Sequence, residues 1–196
     1  MIYNEPDMYF YKDEQKIMST GYLSICGGCM FSGKTTWLQQ KYKTYSYIGK
    51  SICVVNYKDD KRYHDELLST HDKQMIPCTQ TLRLDAILEK LVACDVILIN
   101  EGQFFPDLYD VVIDLVDKHN KIVHIAALDG DFQRQPFGDL LRLIPQCDDY
   151  IKVHALCAKC KDGTKAAFSH RITEESEQIS IGTNNYIPLC RKCFRK

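Results

Sequence analysis

The segment Gly28-Cys29-Met30-Phe31-Ser32-Gly33-Lys34-Thr35 constrains the fold more than any other part of this sequence. It fits the pattern G-x-x-x-x-G-K-[ST], which works only as a turn between a strand and a helix. Glycines let the main chain close around a phosphate without a Cβ in the way. Successive N–H groups and the helix N-terminus then point at the anion. Lys34 is spaced to reach the β- and γ-phosphates of a nucleotide, and Thr35 to ligate Mg²⁺.

The flanking sequence supplies the required context. Tyr22–Cys26 reads as a strand, and a helix is predicted from about Lys34 to Tyr45. Apolar runs at Ser51–Asn56, Asp95–Ile99 and Lys121–Ala127 read as three further strands. Between them, Leu84, Ile87, Leu88, Leu91 and Val92 recur at helical spacing, as do Leu108, Val111, Val112, Leu115 and Val116. Pro106 suits the first turn of that second helix and Asn120 its end. Val- and Ile-rich strands alternating with amphipathic helices predict an α/β fold with a mainly parallel sheet.

A chain of 196 residues with 45% hydrophobic composition supports one ordinary core and a small appendage. The first 20 residues are polar and tyrosine-rich and read as a weakly ordered leader. Residues 21–149 read as the nucleotide-binding core and 150–196 as a separate small domain, with the boundary near Asp148–Lys152. The net charge of −1 argues against life on a nucleic-acid backbone. No apolar run approaches the roughly 20 residues that span a bilayer. The N-terminus lacks the features of a secretion signal, so a cytoplasmic location is expected.

Of the ten cysteines, Cys157-x-x-Cys160 and Cys190-x-x-Cys193 stand out. Each pair turns two thiolates toward one ion, and two pairs make a four-sulfur site typical of structural zinc. The separation of the pairs, residues 161 to 189, is longer than a usual zinc ribbon and suggests that the metal staples a working loop. The other six cysteines fall mostly in apolar runs and read as small hydrophobes.

A nucleotide site of this kind needs an acidic group at the end of a neighbouring strand. Ile97-Leu98-Ile99-Asn100-Glu101 delivers Glu101 to the carboxyl end of the sheet, where open α/β folds bind ligands. Position 100, where the pattern usually has an acid, holds Asn100.

Together these segments resemble the zinc-containing, P-loop thymidine kinases. The resemblance covers roughly residues 20–196. It is carried by Met30-Phe31-Ser32-Gly33-Lys34-Thr35, Glu101-Gly102-Gln103-Phe104-Phe105-Pro106, Asp60-Lys61-Arg62-Tyr63 with Thr70-His71-Asp72, and Leu128-Asp129-Gly130-Asp131-Phe132-Gln133-Arg134-Gln135-Pro136-Phe137-Gly138. It implies a RecA-like P-loop core with a C-terminal zinc-ribbon or lasso domain. The implied activity is transfer of the ATP γ-phosphate to the 5′-hydroxyl of thymidine, with deoxyuridine as a second substrate. Glu101 would be the general base, Lys34 and Arg62 would neutralise the moving phosphoryl group, and Thr35, Asp60 and Asn100 would lie near Mg²⁺. Met30, Phe104, Leu128, Phe132 and Phe137 would enclose the pyrimidine, with Phe132 stacked on it. Glu177, Gln178, Ile179, Ser180, Ile181 and Gly182, with Tyr186 nearby, would close over the base edge. Ser169, in Phe168-Ser169 where the family has Tyr-Thr, is expected to relax discrimination at the base methyl group. Asn100 is expected to shift part of the metal-binding charge onto Glu101, Asp60 and the nucleotide. The resemblance also implies thymidine triphosphate as an end-product inhibitor and a homo-oligomer, tetrameric or dimeric.

Two other readings share some of these features. A nucleic-acid-stimulated ATPase would share the phosphate loop and Glu101 but calls for a basic track. A zinc-ribbon module fused to a nucleotide switch would explain the cysteines but not Phe132 and its flanking signature.

Overall fold

The computed structural model describes residues 20–59, 67–69, 75–174, 177–179 and 185–195. Five of its strands follow in chain order: β1 (Tyr22–Gly28), β2 (Ile52–Tyr57), β3 (Leu67–Ser69), β4 (Met75–Pro77) and β5 (Thr79–Thr81). Helix α1 (Lys34–Tyr47) lies between β1 and β2. Helix α2 (Leu88–Val92) leads to β6 (Val96–Asn100), and α3 (Leu108–Ile113) leads to β7 (Ile122–Ala127). Helix α4 (Leu140–Leu143) precedes β8 (Asp149–Val153).

The main sheet has the order β5-β2-β6-β7-β1-β8, and every pairing in it is parallel. Alternate residues of the central strands feed two cores, because successive side chains of a strand point to opposite faces. On one face Ile97, Ile99, Val123 and Ile125 pack against Leu91, Leu108, Val112 and Leu115 from α2, α3 and the turn after it. On the other, Val96, Leu98 and Ile122 pack beneath Leu38 and Tyr45 of α1. Burial on both faces explains why these strands read as continuous apolar runs.

Three features depart from the sequence reading. The second amphipathic helix loosens after Ile113 into a π-helical segment, Asp114–Lys118, which ends with the His119 N–H on the Asp114 carbonyl. Pro106 lies before this helix, whose N-cap is Asp107. Asn120 does sit in the left-handed region just past its end, at φ 50°. Third, the sheet continues through Val153, so the residues expected to mark a domain boundary form its sixth strand, paired with β1.

Beyond β8 the chain forms two small antiparallel pairs. One joins β9 (Ala155–Leu156) to β10 (Lys165–Ala166), the other β11 (Phe168–Arg171) to β12 (Tyr186–Leu189). A short helix, α5 (Arg191–Phe194), follows. Among the described residues, no helix is long and apolar enough to cross a membrane.

The face beneath α1 holds a buried histidine. His124 of β7 is fully buried, with Nδ1 2.5 Å from Ser24 Oγ and Nε2 3.1 Å from Tyr45 Oη. Trp37 and Tyr22 meet its ring edge-on. Burial penalises the imidazolium and pulls the pKa down to about 3. The unfolded chain binds this proton near pH 6.5 and the folded chain does not. The stabilising contribution is therefore complete above about pH 6.5 and lost as pH falls toward 3, with a total on the order of 5 kcal/mol. Urea titrations from pH 7 to 4 should show the midpoint of His124→Gln falling less steeply than that of the parent protein. Parallel curves would remove His124 as the source.

Candidate functional site

The phosphate-loop segment leaves β1 at Gly28 and enters α1 at Lys34. A Cβ on Gly28 would stand 2.4 Å from the Val153 carbonyl oxygen, so β8 approaches too closely for any other residue. Gly33 takes φ 86° and Phe31 φ 65°, which curls the main chain into a cradle. Lys34 lies inside it, and its Nζ donates to the Cys29 carbonyl at 2.7 Å. Ser32 Oγ donates to the same carbonyl at 2.7 Å. Burial lowers the Lys34 pKa, and the Glu101 carboxylate acts in the opposite direction. Thr35 is half-buried in the first turn of α1.

The loop is also tied to the C-terminal portion of the chain. The Met30 N–H donates to Ser169 Oγ at 3.0 Å, and Cys29 Sγ to the Ala166 carbonyl at 3.4 Å. Ser169 thus contacts the phosphate-loop backbone directly.

At the end of β6, Asn100 is buried and donates through Nδ2 to Asn56 Oδ1 of β2 at 2.8 Å. The pair is neutral. Glu101 leaves the strand in the left-handed region, φ 54° and ψ 42°, a conformation costing a non-glycine residue about 1 kcal/mol or more. Its Oε2 accepts from Gln103 Nε2 at 2.6 Å, while Gln103 Oε1 accepts the Leu128 N–H at 2.9 Å. Gln103 is 3% exposed and wedged from behind, since a Cβ on Gly138 would come within 2.3 Å of its carbonyl oxygen. Gln103 was not expected as a site residue, although it stands in the Glu101–Pro106 segment that carries the resemblance.

The expected aromatic residues fall into two groups. Phe104 meets Phe137 edge-on at 5.4 Å and lies tilted against Tyr57 at 5.2 Å. Phe132 instead packs under the Arg171 guanidinium, whose carbon lies 3.8 Å from the ring centre. Met30 is nearly buried, and Leu128 is half-buried at the exit of β7. The loop carrying Phe132 is organised by Asp131. One of its carboxylate oxygens accepts from the N–H groups of Gln133 and Gln135, both at 2.8 Å, and the other from Gln178 Nε2 at 2.8 Å. A cleft lined by Cys29, Asp129, Asp131, Lys152, Phe168 and Ser169 opens beside this loop.

Glu177 and Gln178 present their carbonyls to Arg171, and Tyr186 accepts from the same guanidinium. Ile179 is about half exposed. Asp60, Arg62, Ser180, Ile181 and Gly182 lie outside the described residues.

The four cysteines converge. The sulfurs of Cys157, Cys160, Cys190 and Cys193 all lie within 4.8 Å of one another. A tetrahedral ion with about 2.3 Å bonds to sulfur needs sulfurs about 3.8 Å apart. Cys160 Sγ stands 3.8 Å from that of Cys190 and 3.5 Å from that of Cys193, so the group can hold a metal ion. The Cys190 N–H donates to Cys157 Sγ at 3.3 Å and, with lesser hydrogen bonds from the N–H groups of Cys160 and Lys159, pulls the Cys157 pKa down to about 6, favouring the thiolate that a metal takes. Cys157 and Cys190 also share a buried cluster with Cys29 of the phosphate loop.

The family model described as thymidine kinase matches residues 21–194. The thymidine kinase of vaccinia virus, strain Western Reserve, is 39% identical over 178 residues, covering 90% of this chain and 98% of the viral one. Thymidine kinase 1 of Dictyostelium discoideum is 38% identical over 179 residues, covering 89% of this chain and 78% of its own. Among solved structures, AMPPCP-bound DnaA from Aquifex aeolicus aligns at 13% identity and a TM-score of 0.43, over 78% of this chain and 48% of that one. This chain thus spans about half the length of that protein.

Proposed function

The chain belongs to the thymidine kinase family, and on that premise we propose how its own residues move the γ-phosphate of ATP to the 5′-hydroxyl of thymidine. The observation that carries the proposal is Glu101, a carboxylate at the carboxyl end of the sheet, fixed by Gln103 and electrostatically coupled to Lys34 of the phosphate loop.

The cradle from Gly28 to Thr35 binds the triphosphate, with the loop N–H groups and Lys34 on its oxygens. Glu101 accepts the proton of the 5′-hydroxyl as that oxygen attacks the γ-phosphorus in line, and ADP leaves. The proton on Glu101 then passes to solvent. Lys34 and Arg62 neutralise the charge of the transferring group. Thr35 would hold Mg²⁺ together with Asp60 and the carbonyl of Asn100. Bound there, Mg²⁺ would supply charge neutralisation to the triphosphate. Because Asn100 is neutral and hydrogen-bonded to Asn56, the negative charge around the cation would come from Glu101, Asp60 and the nucleotide.

Met30, Phe104, Leu128, Phe132 and Phe137 hold the pyrimidine, with the main chain from Glu177 to Gly182 and Tyr186 reading its edge. Ser169, small and bound to Met30, admits deoxyuridine as a slower substrate. The cysteine cluster fits zinc in a structural role, since all four ligand positions are filled by protein. A cytoplasmic homo-oligomer inhibited by thymidine triphosphate completes the reading.

A coupled assay of ADP release against thymidine, deoxyuridine, deoxycytidine and deoxyadenosine tests it. Thymidine should be turned over fastest, deoxyuridine next, and the other two at background. Metal-replete protein that phosphorylates none of the four would reject the proposal.

A further inference from the structure

Arg171 of β11 is only 6% exposed and touches three separate segments. Its guanidinium carbon lies 3.8 Å from the centre of the Phe132 ring and 5.1 Å from that of Tyr186. Nε and Nη2 donate to Tyr186 Oη. Nη1 donates to the Glu177 carbonyl at 2.5 Å and Nη2 to the Gln178 carbonyl at 3.2 Å. The first segment is the loop after β7, the second is β12, and the third is the stretch 177–179 leading toward it. Gln178 then reaches back to Asp131, next to Phe132, and joins the first segment to the third.

We infer that Arg171 is the positioning residue of the nucleoside subsite, holding the Phe132 ring and the peptide planes at Glu177 and Gln178 in their binding orientation. The inference rests on the proposal that Phe132 and the 177–179 main chain contact the base.

A trans peptide is planar, so its carbonyl and the following N–H point in opposite directions. With the carbonyls of Glu177 and Gln178 both turned onto one guanidinium, the N–H groups of Gln178 and Ile179 are turned away from it. A cation over one face of Phe132 also restricts the ring's rotation, and on this inference the base takes the opposite face. Ordering both elements before the ligand arrives spares the ligand that entropic cost. Lysine cannot reproduce this arrangement, because an ammonium neither stacks flat on the ring nor spans two carbonyls and a hydroxyl in one plane.

The test measures KM for thymidine and for ATP, kcat, and thermal stability in Arg171→Lys, Arg171→Gln and Phe132→Ala. We expect thymidine KM to rise about tenfold or more in both Arg171 variants, with kcat and ATP KM near the parent values. Phe132→Ala should raise thymidine KM as well. A fall in thymidine KM on removing Arg171 would show that the guanidinium obstructs the base and would overturn the inference. So would equal loss in thymidine and ATP KM together with a lowered melting temperature, which marks a purely structural role. An unchanged thymidine KM in Phe132→Ala would instead reject the base-platform reading on which the inference stands.

Discussion

Replacing Glu101 by Gln should lower kcat for thymidine by about 10²–10⁴-fold, the usual span for loss of a general base. Thymidine and ATP KM should stay close to the parent values. The amide keeps the size of the side chain, so the left-handed backbone at this position need not move. It also keeps an oxygen that can accept from Gln103 Nε2, which makes the change nearly isosteric. What it loses is the ability to take the 5′-hydroxyl proton. Alanine would be a poorer test, since it would also release Gln103 and, through it, the Leu128 N–H. Single-turnover measurement with quenched samples separates the chemical step from product release. A parent-like single-turnover rate in Glu101→Gln would remove Glu101 from the role of base.

Removing the metal should have the largest effect on folding. Structural zinc contributes on the order of 10 kcal/mol to the folding of small zinc modules, comparable to the whole stability of an ordinary domain. Here the ion would join residues 157–160 to residues 190–193 at the two ends of the segment that carries Arg171 and Tyr186. Cys190→Ser, or incubation with a strong chelator, should therefore unfold this part of the chain and abolish thymidine binding. ATP binding should weaken too, because the same module accepts hydrogen bonds from Cys29 and Met30 of the phosphate loop. The measurements are metal content per chain, thermal unfolding with and without chelator, and nucleotide binding in each state. Metal-free protein with parent stability and full activity would show that the four cysteines do not serve as a metal site.

Much of the core was legible because its strands are buried on both faces. β1, β2, β6 and β7 carry apolar runs that stand out whatever their neighbours. The cysteine pairs were legible for a different reason, since their spacing is set by the metal and not by the fold. β8 was missed because Asp149-Tyr150-Ile151-Lys152-Val153 is an edge strand with largely exposed side chains, and its pairing with β1 leaves no apolar run to read. The π-helical turn after α3 was invisible because Leu115 and Val116, which are buried in it, also fit the spacing of an amphipathic α-helix.

At the site, the loop, Glu101 and Gln103 fall within local patterns, whereas Arg171 does not. A lone arginine in a short segment acquires meaning only from what folding brings beside it. For Arg171 that is Phe132, 39 positions earlier by residue number, together with three groups further along the chain.

The Lys34 ammonium already has a partner in the structure, the Cys29 carbonyl. An ammonium has three N–H donors, so an incoming oxygen can join the Cys29 carbonyl on the same nitrogen without displacing it. A neutral carbonyl is a weaker acceptor for an ammonium than an anionic phosphate oxygen. On the proposed reading, the gain on seating a ligand is therefore large when its oxygen carries full negative charge and small when it is neutral. The Cys29 carbonyl would hold the nitrogen in place beforehand, and Lys34 would sort ligands by their charge.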